Sequence, residues 1–370
     1  MSWRHTTKLA LRGWLAGATF ACASAHAAPQ PYPTALRVKL LAAPAAATAA
    51  PAIGIYGRAP AHCAPEVDRV TLDGTDLGIL LKSARTGCDV RRSIAFALRV
   101  DPAASARLPL LPGQVYRVRV YADEDGAQSL LAFRLLDTTA SAAAPQPENG
   151  MWWSQAGAEA GAASAGSGAS MEFQDGQIAV GLFGFNDAGA ATWYFGSAPL
   201  DGRVARVSLV QLADGDPLFA PLGNRPTAEA GPRLEIEFSS PSSARAWLVR
   251  NENGLDLEVR PLALARSRFS TAPLANAWTG EWVLVPDEDG TPRTFEFSDS
   301  SSKDAETFHL SDQAHDASLD CRVVGGTRQP DVCTLSVAAA TLADFDQVGI
   351  DHLVGRGVDG ARMRLVRVPR

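Results

Sequence analysis

The sequence predicts an all-β protein, and three observations support this expectation. Apolar and polar residues alternate through many short runs, which is the two-residue period of a half-buried strand. Asp-Gly and Asn-Gly pairs fall between those runs, where tight hairpin turns need residues that tolerate positive φ. Helical periodicity is scarce, and only a short helical turn is expected, at residues 338–345. We predict an N-terminal immunoglobulin-like sandwich followed by an antiparallel β-barrel-like or sandwich domain.

Residues 1–27 have the pattern of an export signal. Arg4 and Lys8 give a positively charged start, a mostly small and apolar run follows, and Ala25-His26-Ala27 fits a small-x-small cleavage site. The apolar run is shorter than the roughly 20 residues that a helix needs to span a bilayer. Cleavage after Ala27 is therefore expected, and a lipoprotein signal at Cys22 stays open as an alternative.

The charge of the chain argues against two classes of partner. Loss of the signal removes three of the 34 basic residues and none of the 40 acidic ones, so 31 basic residues remain and the net charge becomes −9. Nucleic acid and anionic membranes both select a basic surface, so neither is an expected partner. No later segment is a long uninterrupted apolar run, so the chain is not expected to be an integral membrane protein.

The cysteines indicate the same compartment. Beyond the signal there are four, Cys63, Cys88, Cys321 and Cys333, and four cysteines allow three pairings. Because two pairs are each close in sequence and far from the other, we predict the disulfides Cys63–Cys88 and Cys321–Cys333. Each would stabilise the fold by roughly 3 kcal/mol. Such bonds belong to an oxidising periplasm or to the outside of the cell. The spacing contains no CxxC and no nearby His pair, so no metal site is predicted.

Residues 28–137 are expected to form the sandwich. About seven short β segments lie in this part of the chain, and in one of them Ile94, Phe96 and Leu98 share a face. Seven short strands with regular turns in roughly 100 residues are typical of an immunoglobulin-like domain. The segment contains no Trp, so the Cys…Trp…Cys pattern of true immunoglobulin domains is missing.

A linker is predicted at residues 138–149, which are polar, Ala-rich and Pro-containing. All six tryptophans of the exported chain lie beyond it.

Closely spaced hairpins continue through residues 150–370, which predicts a barrel-like domain. A Gly-x-Trp segment occurs twice in this domain, as Gly150-Met151-Trp152 and as Gly280-Glu281-Trp282. The repetition is interpreted either as chance or as a division of the domain into two halves, 150–274 and 275–370.

Gly150, Trp152 and Trp153 are followed by a glycine loop near Gly166-Ser167-Gly168 and then by the turn and strand residues Asp175, Gly176, Phe185, Asn186, Gly189, Trp193 and Tyr194. Over residues 150–199 this order resembles a GxWW…TWY β repeat of secreted, mostly uncharacterised proteins of GC-rich Gram-negative bacteria. The chain departs from the repeat by an Ala/Gly insert at 155–165, by loss of the Pro after the tryptophans, and by Phe185-Asn186 in place of Tyr-Asp. The resemblance implies export and β structure, and it assigns no catalytic residue.

The candidate ligand-binding residues are aromatic: Trp152, Trp153, Trp193 and Tyr194, with Phe183 and Phe185 beside them in sequence. Exposed indole rings on a sheet stack on sugars or apolar ligands, whereas buried ones fill a core. Because neighbouring residues of a strand face opposite sides, one of Trp152 and Trp153 is expected in the core and the other at a surface.

No catalytic constellation, metal site or cofactor motif is predicted. His309 and His315 lie in a polar segment without an HExxH helix, and Ser164 lacks the G-x-S-x-G context of a nucleophile elbow. The acidic turns at 123–126 and 287–290 lack the Glu that closes a calcium loop at its twelfth position.

These observations predict a periplasmic or secreted binding or interaction module of the cell envelope or extracellular space, with a glycan or an envelope protein as its partner. The alternative is a hydrolase of envelope polymers that uses scattered carboxylates. Whether the chain is an enzyme stays open.

Overall fold

The computed structural model describes residues 34–41, 52–82, 88–106, 109–124, 127–138, 144–154, 166–216, 219, 223, 225–252, 254–267, 274–286, 291–302, 307–322 and 330–368, and it is nearly all β. The all-β prediction is confirmed. The predicted export signal, Ser164 and the acidic turn at 287–290 lie outside the described residues, as do parts of the turn at 123–126.

The N-terminal unit contains two sheets and one short helix, α1 (Pro102–Ala106). The first sheet has the order β1-β2-β5 and consists of β1 (Thr34–Leu41), β2 (Ala52–Ala61) and β5 (Asp89–Val100). The second has the order β3-β4-β6-β7 and consists of β3 (Glu66–Asp73), β4 (Asp76–Lys82), β6 (Val115–Glu124) and β7 (Ala127–Asp137).

One core joins these two sheets, as in a sandwich. Val38 and Ile55 from the first sheet are buried in the same cluster as Ile79 and Val118 from the second. Alternating apolar side chains explain this, since every second residue of each strand points inward. β4 and β6 run parallel, whereas immunoglobulin sheets are antiparallel. The finer immunoglobulin-like assignment therefore stays a prediction.

The second unit is a closed eight-stranded barrel in which every neighbouring pair is antiparallel. Its strands are β8 (Gly150–Ser154), β9 (Gly168–Gln174), β10 (Gln177–Phe185), β11 (Ala191–Asp201), β12 (Val204–Ala213), β13 (Thr227–Ser240), β14 (Ser243–Glu252) and β15 (Leu255–Arg266). Closure leaves no free strand edge, because β8 pairs with both β9 and β15. The interior is filled by side chains such as Met171, Val180, Ile236 and Phe238.

The third unit is a nine-stranded antiparallel sheet preceded by the short helix α2 (Leu274–Trp278). Its strands are β16 (Gly280–Pro286), β17 (Arg293–Phe297), β18 (Asp299–Ser302), β19 (Thr307–Asp312), β20 (Ala317–Arg322), β21 (Val332–Val337), β22 (Ala340–Val348), β23 (His352–Gly357) and β24 (Arg362–Arg367). The two end strands, β17 and β18, are consecutive in the chain, and the N–H of Ser298 between them donates to the carbonyl of Ser311. The sheet is thus a nearly closed barrel.

The helical turn expected at residues 338–345 is wrong. Ala338 and Ala339 form a two-residue hairpin turn between β21 and β22, and both have positive φ, 49° and 61°. Alanine favours a helix locally, but pairing of the flanking strands overrides that preference.

The two barrels begin and end in the same way. Gly150 and Gly280 have φ of 126° and 125°, a region that glycine occupies without strain. The indoles of Trp152 and Trp282 are fully buried, and each donates to the carbonyl four residues earlier in the chain. Arg266 and Arg367, at the ends of the last strands, lie opposite these two tryptophans. The likeness of the Gly-x-Trp segments is therefore structural as well as sequential.

Both predicted cysteine pairs are joined. The Cα–Cα distance is 5.4 Å in Cys63–Cys88 and 4.1 Å in Cys321–Cys333. The second pair crosses from β20 to β21, where the two residues lie directly opposite each other. This agrees with an extracytoplasmic protein, in which such bonds persist.

A buried ionic network attaches the N-terminal unit to the first barrel. Arg233 donates to both carboxylate oxygens of Asp256, at 3.0 and 2.8 Å, and its Nε donates to Glu235. Arg134, on β7 of the sandwich, donates to Asp256 at 2.9 Å. Asp256 and Glu235 are each 1% exposed. Alternation on β13 turns Glu235 away from the barrel interior, and β7 of the sandwich covers it there, so its carboxylate is buried.

Candidate functional site

Trp152 and Trp153 on β8 face opposite sides of the barrel wall, as strand geometry requires. Trp152 is fully buried against Phe238, with the ring centroids 5.7 Å apart. Trp153 is 44% exposed on the outer surface. The prediction that one of the pair lies in the core and the other at a surface is therefore confirmed, and the outward residue is Trp153.

Three rings form an aromatic row on that outer surface: Trp153, Phe183 and Trp193. The ring centroids are 5.4 Å apart between Trp153 and Phe183 and 5.3 Å apart between Phe183 and Trp193. Trp193 is 65% exposed. The row exists because strand pairing places Trp153 opposite Gly168, Gly168 opposite Phe183 and Phe183 opposite Trp193.

Gly168 leaves the space into which the Phe183 ring folds. A Cβ atom at this position would lie 2.6 Å from the ring of Phe183. Any larger residue would push the ring outward or the strands apart, so glycine at 168 is a packing requirement of the aromatic row.

Further apolar side chains extend the row along the same wall. Phe185 and Phe195 are two residues beyond Phe183 and Trp193 on their strands, so they share the outer face, and both are more than half exposed. Leu212 on β12 is exposed as well. Sequence reasoning missed Phe195 and Leu212, although the i, i+2 spacing of Trp193 and Phe195 was available as a signal.

Polar groups border the row on the side away from the hairpin at 186–189. Ser170 lies opposite Gly181, and Ser197 and Glu172 lie on either side of Ala179. Ser197 and Glu172 are exposed, and Ser170 is half-buried. A Cβ atom at Gly181 would meet nothing within 4 Å, so the surface is open between the rings and these polar groups.

Two of the four candidate binding residues do not belong to the aromatic row. Trp152 fills the core. Tyr194 points into the barrel and packs on that core at the end near the hairpin at 186–189. Trp282 is also fully buried. The structure thus brings Trp153 and Trp193 together and separates them from Trp152 and Tyr194.

Three histidines of the described residues, His309, His315 and His352, lie within ion-pair distance of a carboxylate. Nδ1 of His315 lies 2.7 Å from Asp312, and Nδ1 of His309 lies 2.9 Å from Asp320. Backbone N–H groups of Glu296 and His315 and the His315 ring hold the pKa of Asp312 below its usual value against the opposing effect of burial. Within the described part of the chain, no three metal-ligating side chains are grouped.

A serine, a histidine and an aspartate lie side by side on three neighbouring strands, but they lack the contacts of a catalytic triad. Ser301, His309 and Asp320 occupy directly facing positions on β18, β19 and β20. A triad needs the nucleophile within hydrogen-bond reach of the histidine. Among the described contacts, none joins the exposed Ser301 hydroxyl to His309, so this arrangement lacks the link that acyl transfer requires.

Burial also changes the pKa values of two carboxylates of the first barrel, Asp256 and Glu237. Burial raises the pKa of Asp256, but the hydrogen bonds and charge of Arg233 outweigh it, and the pKa lies below its usual value. Burial of Glu237 raises its pKa despite the nearby Arg203 and Arg245. Asp256 serves the interface with the sandwich and is closed to solvent, so it is not free for hydrolytic chemistry.

Comparison with known proteins does not assign the chain to a family. No protein-family model matches the chain, and no curated protein matches it significantly. The resemblance of residues 150–199 to the GxWW…TWY repeat stays a prediction. In the described residues, none of the helices has the length and apolar character needed to cross a membrane.

Proposed function

We propose that this protein is an exported binding module and that its binding face is the aromatic row of the first barrel, with Phe185 and Phe195 beside it. The ligand class we propose is a neutral glycan of the cell envelope or of the extracellular space. The observation that carries the proposal is the exposure of Trp153 and Trp193, 44% and 65%, in one row with Phe183.

Exposure of these rings supports a binding role because it costs free energy. Water contact with large aromatic side chains is unfavourable, and contiguous exposed apolar patches on soluble proteins mark interaction sites. Elsewhere in the same barrel, aromatic side chains such as Trp152 and Phe238 are fully buried. The outer rings are therefore not required to fill the core.

The borders of the row favour a glycan. A sugar ring presents a C–H face, which stacks on an indole, and hydroxyl groups at its edge, which need hydrogen-bond partners. Serine hydroxyls both donate and accept, and a carboxylate accepts, so Ser170, Ser197 and Glu172 supply those partners. The acidic chain and Glu172 itself disfavour a polyanionic ligand.

Binding is tested with the full exported chain and a panel of neutral polysaccharides and oligosaccharides. We expect a ligand to change the Trp fluorescence and the Trp153→Ala and Trp193→Ala variants to lose binding by about tenfold or more, since buried aromatic contacts dominate such interfaces. Leu257→Ala is the matched control, because Leu257 is an exposed apolar residue of β15 outside the row. A panel without any response, or equal effects of all three variants, would overturn the glycan proposal; capture of an envelope protein through Trp153 would replace it.

Export is the second part of the proposal, supported by the signal-like pattern of residues 1–27 and by the two disulfides. Intact-mass measurement of the protein recovered from cells should give the mass of a chain that begins at Ala28. Recovery of a chain that retains residues 1–27 in the cytoplasm would contradict export.

A further inference from the structure

A cup lies at the end of the first barrel where the hairpin at 186–189 joins β10 to β11. Its cavity volume is about 310 Å³, which is at the lower end of the range for small-molecule sites. None of the three rings of the aromatic row lines it, and of the side chains beside the row only Phe185 reaches its rim. Its lining combines apolar and charged side chains.

Tyr194 and Leu248 form an apolar part of the wall and pack on the barrel core. Gly231 allows this, since a Cβ atom there would lie 2.7 Å from the Tyr194 ring. Gln211 also lines the cup, and its side chain and the Tyr194 hydroxyl make no hydrogen bond among the described contacts. These groups leave both an apolar surface and free polar atoms for a ligand.

Four charged side chains of alternating sign border the cup. One guanidinium nitrogen of Arg250 lies 3.1 Å from both carboxylate oxygens of Asp187. Nε of Arg250 lies 3.6 Å from Glu258, and Arg260 donates to Glu258 at 3.0 Å. Glu258 thus has two cationic partners, whereas Asp187 has Arg250.

Asp187 is the member of this group that can leave. It is 82% exposed at the tip of the hairpin, so its ion pair with Arg250 is weakly stabilising. If the Asp187 side chain moved away, Arg250 would lose one of its two carboxylate partners, whereas Glu258 would still be paired with Arg260. A carboxylate entering the cup would restore the charge balance, and a cation would not.

We propose that the cup binds a small organic carboxylate, which displaces the Asp187 side chain from Arg250. The ligand carboxylate takes the position that the Asp187 carboxylate occupies in the free protein. Its apolar part lies against Tyr194 and Leu248, where it leaves water. In the free protein Asp187 acts as an internal competitor that keeps Arg250 paired.

The test is isothermal titration calorimetry of the full exported chain with butyrate and benzoate, and with butyramide and benzamide as uncharged counterparts. We expect the carboxylates to bind and the amides not to bind. Arg250→Gln should weaken carboxylate binding by about tenfold or more, the effect of losing a charged hydrogen-bond donor. Arg356→Gln, an exposed arginine of the second barrel, is the matched control and should bind as the parent does.

The decisive variant is Asp187→Asn. Removal of the competing charge should tighten carboxylate binding by about two- to fivefold, a gain that misfolding cannot produce. Absence of carboxylate binding in both the parent and Asp187→Asn would overturn the proposal. Unchanged or weaker binding in Asp187→Asn would overturn it as well. Trp153→Ala should leave carboxylate binding intact, so failure here and failure of the glycan proposal are distinguishable.

Discussion

Trp152 and Trp153 are neighbours in the chain, yet their indoles lie on opposite sides of the barrel wall. Trp152 donates from its ring nitrogen to the carbonyl of Glu148 at 3.2 Å and has no exposed surface. Trp153 stands in the aromatic row beside Phe183. One residue therefore serves the stability of the barrel, and its neighbour serves the outer face that we propose for binding.

The two tryptophans should differ sharply in their effect on stability. Trp152→Ala should lower the free energy of unfolding by about 3–5 kcal/mol, because it empties a large volume of the core. Trp153→Ala should change it by about 1 kcal/mol or less, because half of that side chain is already in water. Guanidinium chloride unfolding of both variants measures this; equal losses would contradict the assignment of the two faces.

The ionic network between sandwich and barrel gives a second prediction. Asp256→Ala removes the carboxylate that pairs with Arg233 and Arg134, and it leaves two buried cations short of a partner. The expected loss of unfolding free energy is about 3–5 kcal/mol. Glu258→Ala, two residues along β15 but exposed, is the control and should cost within about 1 kcal/mol. Similar losses in the two variants would show that burial of the network does not matter.

Glu148 gives a prediction about pH. Burial raises the pKa of its carboxyl, but hydrogen bonds and charge from His352 and the backbone N–H of Asp351 outweigh this, so the folded pKa lies below the ordinary 4.5. The carboxylate therefore contributes stability that is present above pH 4.5 and lost as the pH falls through the lowered folded value.

The Glu148→Gln variant removes this contribution, and with it the Glu148 charge that, after burial, raises the pKa of Asp351. Urea unfolding at a series of pH values should show a parent-minus-variant difference that is constant near neutral pH and shrinks in acid. Glu172→Gln, at an exposed position of β9, is the matched control. A difference that grows as the pH falls would contradict the sign.

The disulfides give the fourth prediction. Replacing Cys321 and Cys333 together with Ser should lower the unfolding free energy by about 3 kcal/mol in the chain-entropy account. The Cys63 and Cys88 pair closes a longer loop, 25 residues against 12, and its loss should cost slightly more. Thiol titration of the unfolded parent should find none of these four sulfurs free without reductant; free thiols would contradict the pairing.

Much of the local structure could be predicted from the sequence, because it depends on neighbouring residues. Alternation of apolar side chains and Gly-containing turns predicted the strands, and the spacing of the cysteines predicted both disulfides. The Ala338-Ala339 turn shows the limit of local patterns, because pairing between β21 and β22 overrides the helical preference of alanine there.

Residue patterns along the chain are enough to predict the all-β class, the cysteine pairing and the opposite orientations of Trp152 and Trp153. They do not reveal which tryptophan faces out, that Glu235 is covered, or that Asp187 contacts Arg250, 63 positions away in the chain. These features depend on the register of strand pairing. A shift of one residue in strand pairing exchanges the inner and outer faces of a strand, and the register of a closed barrel is fixed by contacts between distant strands such as β8 and β15.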